Sequence, residues 1–136
     1  MTELIVTSES MQADHQTWLA AHAQWQQDIA LWQAEHKSAV ARLAEVRRAV
    51  QEHAKGLEEH AKAFRELERA VAAHEAEIAK QFSGSSEEPY DVVANRHQQQ
   101  ASAFGRQQEA HIRIKKHHEG VMAQLTALEA SAAAPM

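Results

Sequence analysis

The sequence contains no cysteine, which excludes disulfide bonds, thiolate metal ligands and cysteine nucleophiles together. Any metal site must therefore use nitrogen or oxygen ligands. No run of residues approaches the ~18 apolar residues that a membrane-spanning helix needs, and the first residues lack the basic and apolar segments of a signal peptide. We therefore expect a soluble, cytoplasmic protein without membrane contact.

Glycine and proline are also scarce, with four glycines and two prolines in 136 residues, so few positions interrupt a helix. Alanine, glutamine, glutamate, lysine and arginine dominate instead, and all of them favour helix. The composition predicts an all-α fold. The formal net charge of −5 argues against general nucleic-acid binding, and a solvated helix face explains the small basic patch at residues 113–118.

Nine of the ten histidines lie on one heptad stripe that is otherwise almost entirely apolar. The stripe follows the a and d positions of a coiled coil over residues 15–78, where every member is apolar or histidine. It resumes over residues 90–128, where Gln100 and Gln107 also belong to it. Only His117 lies off the pattern. The pattern therefore predicts histidines inside a helical bundle.

A cluster of turn-forming and helix-starting residues at 83–89 separates the two parts of the stripe. It predicts an antiparallel coiled-coil hairpin in which Ser85 or Ser86 caps the second helix and Pro89 lies in the first turn. The predicted elements are a disordered N-terminus over residues 1–9, a long helix over 10–82, a turn over 83–90, a second helix over 91–130 and a disordered tail over 131–136.

A weaker break signal lies at residues 36–39, where basic residues would end one helix and Ser38 would cap the next. Such a break would give a monomeric three-helix bundle of residues 10–36, 39–82 and 91–130. We favour the unbroken helix, because the heptad continues through this site and no turn signal accompanies it.

The position of the turn limits the register of the predicted hairpin, because facing a and d positions must lie at equal distances from it. Among the registers that it allows, one brings the most histidines opposite one another and also sorts apolar residues into layers of their own. The histidines that face each other in this register are His74 with His97, His60 with His111, and His53 with His118.

The first part of the long helix can also pair in antiparallel orientation with the middle part of that helix, in a register that places histidines opposite one another. Combining the two registers predicts two three-histidine layers in three-helix segments, separated by an apolar layer. This first segment folds back near Lys37 or comes from a second chain. We favour an antiparallel homodimer, because an exposed stripe of Trp18, Trp25 and Trp32 would need a partner. The two layers are His15, His60 and His111, and His22, His53 and His118.

Neutral imidazole is a common ligand for zinc, copper and nickel, and three imidazoles leave a fourth position for water. We therefore interpret the histidine layers as transition-metal sites for metal storage, buffering or sensing. The pair His74 and His97 offers two further candidate ligands, although the structural interpretation is stronger there.

Two other interpretations remain open at this point. In the first, the protein is a non-catalytic structural or scaffolding coiled coil whose buried histidines set the register and respond to pH. In the second, three-histidine zinc with bound water makes a zinc-dependent hydrolase. We expect no enzyme, because nothing in the sequence builds a substrate pocket.

Overall fold

The computed structural model describes residues 6–136, so part of the predicted N-terminal segment 1–9 lies outside the described residues. The described chain forms two helices, α1 over Ser8–Ser83 and α2 over Tyr90–Ala133, and contains no strand. The predicted all-α hairpin with a long first helix is thereby confirmed. Within residues 6–136, neither helix has a stretch long and apolar enough to cross a membrane.

Helix α1 begins with a side-chain cap and continues without interruption. The amide of Ser10 donates a hydrogen bond to Oγ1 of Thr7 at 3.1 Å, which satisfies one of the free amides at the start of the helix. The helix then passes through residues 36–39. The alternative bundle of three shorter helices needs a turn at this site, and α1 has none.

The turn after α1 depends on a glycine in the left-handed backbone region. Gly84 has a φ of 73°, which a residue without a side chain adopts at little cost. Its amide donates to the carbonyl of Gln81 at 3.3 Å, and the amide of Ser85 donates to the carbonyl of Lys80 at 3.0 Å. These two bonds satisfy carbonyl groups at the end of α1 in the manner of a Schellman motif.

The predicted serine cap of α2 is wrong. The residue at the cap position is Pro89, and no side chain caps the helix by a hydrogen bond. The hydroxyl of Ser86 acts inside the turn instead, where it accepts hydrogen bonds from the amide of Glu88 at 3.2 Å and from the side-chain amide of Gln81 at 3.1 Å. Helix α2 ends at Ala133, rather than at the predicted residue 130.

The chain divides into two compact units, one that ends at Glu52 and one that begins at His53. The first unit is the N-terminal part of α1. None of its described residues is buried. Most large apolar side chains of its stripe are about half exposed, from 49% for Ile29 to 57% for Trp25, whereas Val50 is half-buried. The second unit is the helical hairpin, formed by the rest of α1 and by α2.

Within the hairpin, the stripe of α2 is not centred on the interface with α1. Ala103 and Ala110, which precede stripe positions by one residue, are half-buried, whereas Phe104 and His111 on the stripe are exposed. Alanine side chains occupy little volume, so a helix face that carries them allows a close approach to its neighbour. We infer that α2 is rotated relative to the predicted a/d geometry, which leaves one edge of the stripe open.

Val93 is the one buried apolar residue of the described chain, with 5% of its surface exposed. We predict that Val93→Ala lowers the free energy of unfolding by roughly 1–2 kcal/mol, because it removes two packed methyl groups. The matched control is Val92→Ala, since Val92 is 42% exposed and the change brings the same gain in helix propensity. Urea unfolding of the full chain, followed by circular dichroism, measures both. Equal effects would contradict the assigned role of Val93.

Candidate functional site

Two predicted histidine pairs are in direct contact across the hairpin. We call His74 and His97, which lie nearer the turn, the proximal pair, and His60 and His111 the distal pair. In each pair Nε2 of the histidine on α1 lies 3.2 Å from Nδ1 of the histidine on α2. The rings are stacked, with centroids 5.3 Å apart in the proximal pair and 5.4 Å apart in the distal pair. The predicted register is confirmed at both positions.

The proximal pair belongs to a directed chain of hydrogen bonds. His74 is buried, with 3% of its surface exposed, and its Nδ1 lies 3.4 Å from Oε2 of Glu77. A carboxylate only accepts, so the neutral ring of His74 must donate from Nδ1, which leaves its Nε2 as an acceptor. Nδ1–H of His97 then donates to that nitrogen. The network therefore assigns one tautomer to each ring of the neutral pair.

An ion pair beside the proximal pair holds Glu77 in place. Arg96 on α2 donates from one guanidinium nitrogen to Oε1 of Glu77, and also to Oε2 of Glu88 at 2.9 Å. The hydrogen bond from Arg96 lowers the pKa of Glu77 below its ordinary value, and the two carboxylates raise the pKa of Arg96. Arg96 thus links the turn, α1 and α2 next to the buried imidazole.

Sequence reasoning did not single out Glu77 and Arg96. Each precedes a stripe position by one residue, namely Ile78 in α1 and His97 in α2, so both occupy flanking positions of the heptad. Opposite charges at such flanking positions are a known source of interhelical salt bridges. An inspection of charges beside the stripe would therefore have found this pair.

The distal pair is more accessible than the proximal pair. His60 is half-buried and His111 is exposed. The ring of His60 also contacts Phe64 in its own helix edge-on, with the centroids 5.7 Å apart. Within residues 6–136, no carboxylate is hydrogen-bonded to either ring of the distal pair, so its nitrogens have fewer competing partners than those of His74.

The third predicted pair differs from expectation. The ring that packs edge-on against His53 is that of His117, with centroids 4.6 Å apart, whereas the predicted partner was His118. His117 precedes the stripe by one residue, as Ala103 and Ala110 do. The rotation of α2 that half-buries those alanines therefore also brings His117 into contact with His53, although both His117 and His118 remain exposed.

The other predicted ligands, His15 and His22, lie in the first unit. Each ring contacts a tryptophan three residues later in the same helix, Trp18 at 5.4 Å and Trp25 at 5.1 Å between centroids. Their predicted convergence with histidines of the hairpin involves a third helix, so it stays a prediction. Among residues 6–136, no three histidine, aspartate or glutamate side chains are grouped closely enough to hold a metal ion.

An apolar groove of about 610 Å³ runs along the hairpin beside the proximal pair. It exists because the two helices leave one edge of the stripe uncovered. Gln100, one of the two predicted polar core residues, borders this groove and donates its side-chain amide to the carbonyl of Ala70 at 3.2 Å. The main apolar lining residues are Phe64, Leu67, Val71, Ile78, Ala101 and Phe104.

Comparison with known proteins adds no functional assignment. No family model matches the chain, and neither the curated proteins nor the solved structures include a significant match.

Acid should weaken the hairpin through Glu77. A carboxyl whose pKa is lowered in the folded state adds stability above its unfolded-state pKa, and this stability is lost as the pH falls through the folded-state pKa. Since the ordinary value is 4.5, we predict that Tm falls more steeply below about pH 4.5 in the wild type than in Glu77→Gln. Thermal unfolding followed by circular dichroism at successive pH values measures this difference.

The control for this experiment is Glu75→Gln, which removes a carboxyl from the same helix without removing the contact with Arg96. Its pH profile should follow that of the wild type. A Glu77→Gln profile that also follows the wild type would show that the ion pair adds no acid-sensitive stability.

Proposed function

We propose that this protein binds a transition metal such as zinc, copper or nickel at its histidine layers, in an antiparallel homodimer, and serves in metal storage, buffering or sensing. The observation that carries the proposal is the separation of 3.2 Å between the facing nitrogens of His60 and His111. In a tetrahedral zinc site, each imidazole nitrogen lies about 2.0–2.1 Å from the metal, so two ligating nitrogens are about 3.3 Å apart. The distal pair thus has the spacing of two ligands.

Metal binding requires one change at the distal pair. A hydrogen bond aims the proton of one ring at the lone pair of the other, whereas two ligands aim both lone pairs at a common point. Turning the imidazoles about their side-chain bonds achieves this change. The exposure of His111 and the partial exposure of His60 leave room for that motion and for a metal to enter.

The proximal pair is a poorer ligand set. Three of its four ring nitrogens are already engaged in the chain from Glu77 through His74 to His97, and His74 is almost fully buried. A metal there would have to displace satisfied hydrogen bonds inside the hairpin, which is costly in a buried environment. We therefore assign metal binding to the distal pair first.

The remaining ligands would come from a second copy of the chain. In the homodimer that we propose, His15 of the partner lies level with the distal pair, and His22 of the partner lies level with His53. The second layer would include His117 or His118 of α2, since His117 already contacts His53. Each chain would then contribute to three-histidine sites that keep a fourth position for water.

Metal content provides the direct test. Equilibrium dialysis of the tag-free protein against zinc, copper, nickel and cobalt at about pH 7.5, followed by elemental mass spectrometry, should give about two metal ions per chain. His60→Leu should lose about half of this content, because it removes one ligand layer. His36→Leu is the control, since His36 belongs to the stripe but to neither layer, and it should retain all the metal. Content at the level of a buffer blank would refute the proposal.

A second candidate function is that of a scaffold whose histidines set the register of the coiled coil. The proximal pair favours this function, because a buried His74 with both ring nitrogens hydrogen-bonded defines one register better than apolar packing does. Protonation of both rings would also remove the acceptor nitrogen and break the bond between His74 and His97. Such a scaffold would respond to acid without any metal.

Replacement of the proximal pair tests the scaffold function. The double variant His74→Leu with His97→Leu should keep or raise the free energy of unfolding, by up to about 1 kcal/mol, because apolar packing replaces a buried polar layer. The single variant His97→Leu is the comparison and should be less stable, since it leaves the buried Nε2 of His74 without its donor. Urea unfolding of metal-free protein measures both. A double variant less stable than the single one would contradict this function.

A further inference from the structure

Charge is segregated along the first unit. Residues 8–36 contain four acidic side chains and no lysine or arginine. Residues 37–48 contain four basic side chains and a single acidic one, Glu45, which contacts Arg48 at 3.6 Å within the same helix. The acidic residues of the first segment are Glu9, Asp14, Asp28 and Glu35, and the basic residues of the second are Lys37, Arg42, Arg47 and Arg48.

Among the described residues of the same unit, most of the apolar stripe is exposed. Trp18, Trp25 and Trp32 are 56%, 57% and 53% exposed, and Leu43 and Val46 are 49% and 50% exposed. A continuous stripe of this kind on a solvated helix marks an interaction surface, because exposed aromatic area is costly in water. The stripe runs through both the acidic and the basic segment.

We propose that this stripe binds the same stripe of a second copy in antiparallel orientation, with the end of the acidic segment that carries Asp28 and Glu35 along the basic segment of the other chain. The inference deepens the homodimer of the proposed function and names its contact surface. It does not depend on metal. A C2 dimer of this kind makes every contact twice, since one patch faces its own copy.

The antiparallel register brings apolar residues of the stripe together and places opposite charges beside them. When the two helices cross near residues 37 and 38, Trp32 of one chain faces Leu43 of the other. Glu35 and Arg42 each precede a stripe position by one residue, so they flank the same edge and face each other across the seam. Symmetry yields two such ion pairs between the chains.

A parallel dimer would lack this complementarity. In a parallel coiled coil, a residue that precedes an a position faces the residue five places later in the partner. Arg42 would then face Arg47 of the other chain, and Glu35 would face Val40, so the flanking contacts would be repulsive or neutral. Charge along the first unit therefore selects the antiparallel orientation.

Sedimentation equilibrium of the full, tag-free chain in chelator and low salt tests this inference. The wild type should dimerise, and its tryptophan emission should shift to shorter wavelength as the dimer forms, because all three tryptophans lie on the stripe. Arg42→Glu should raise the Kd of the dimer about tenfold, since two attractive pairs become repulsive. The double variant Glu35→Arg with Arg42→Glu should return the Kd to within about threefold of the wild type.

The matched control is Arg48→Glu, which changes the charge equally at a position away from the seam and should alter the Kd less than about threefold. Circular dichroism confirms that each variant keeps its helix content. A chain that sediments as a monomer at every concentration, or a double variant that remains as weak as Arg42→Glu, would overturn the inference. The sedimentation experiment contains chelator, so it tests the dimer without metal. If the chain dimerises but binds no metal in the dialysis experiment, only the metal-binding function is refuted.

Discussion

The hydrogen bond between His74 and His97 is the contact on which the hairpin depends. It joins the two helices a short distance from the turn, at the one buried polar side chain of the described residues. Each partner is satisfied, since Glu77 accepts from His74 and Arg96 holds Glu77. A shift of either helix would leave a buried nitrogen without a partner, and such a group costs about 1–3 kcal/mol. The proximal pair therefore excludes neighbouring registers.

The same register makes the distal pair available for different chemistry. Because the helices are held in register at His74, His60 and His111 meet two heptads farther along, about four helical turns, with the same spacing of nitrogens. Their surroundings differ, however, since His60 is half-buried where His74 is buried, and no carboxylate of the described residues is hydrogen-bonded to the distal pair. The register role of the proximal pair and the ligand role that we propose for the distal pair thus rest on the same residue type in different environments.

Incomplete burial connects the hairpin to the proposed assembly. The groove of about 610 Å³ and the exposed tryptophan stripe are two apolar surfaces on separate units, and neither is covered within its unit. A two-helix hairpin buries too little apolar area to cover a stripe of this width. A further helix would bury the apolar surface that remains exposed. The charge segregation in the first unit supports our proposal that this helix comes from a second copy in antiparallel orientation.

The sequence by itself determined the helices, the turn and the register, because these follow from local propensity and from the heptad period, which one chain displays directly. It also predicted the contacts of His74 and His60. The flanking charges of Glu77 and Arg96 were also readable in the sequence. Only the tertiary structure decided the rotation of α2 and the contact of His53 with His117 instead of His118. Rotation depends on how closely the alanine face of one helix packs on another, and that balance of side-chain volumes has no counterpart in the heptad pattern.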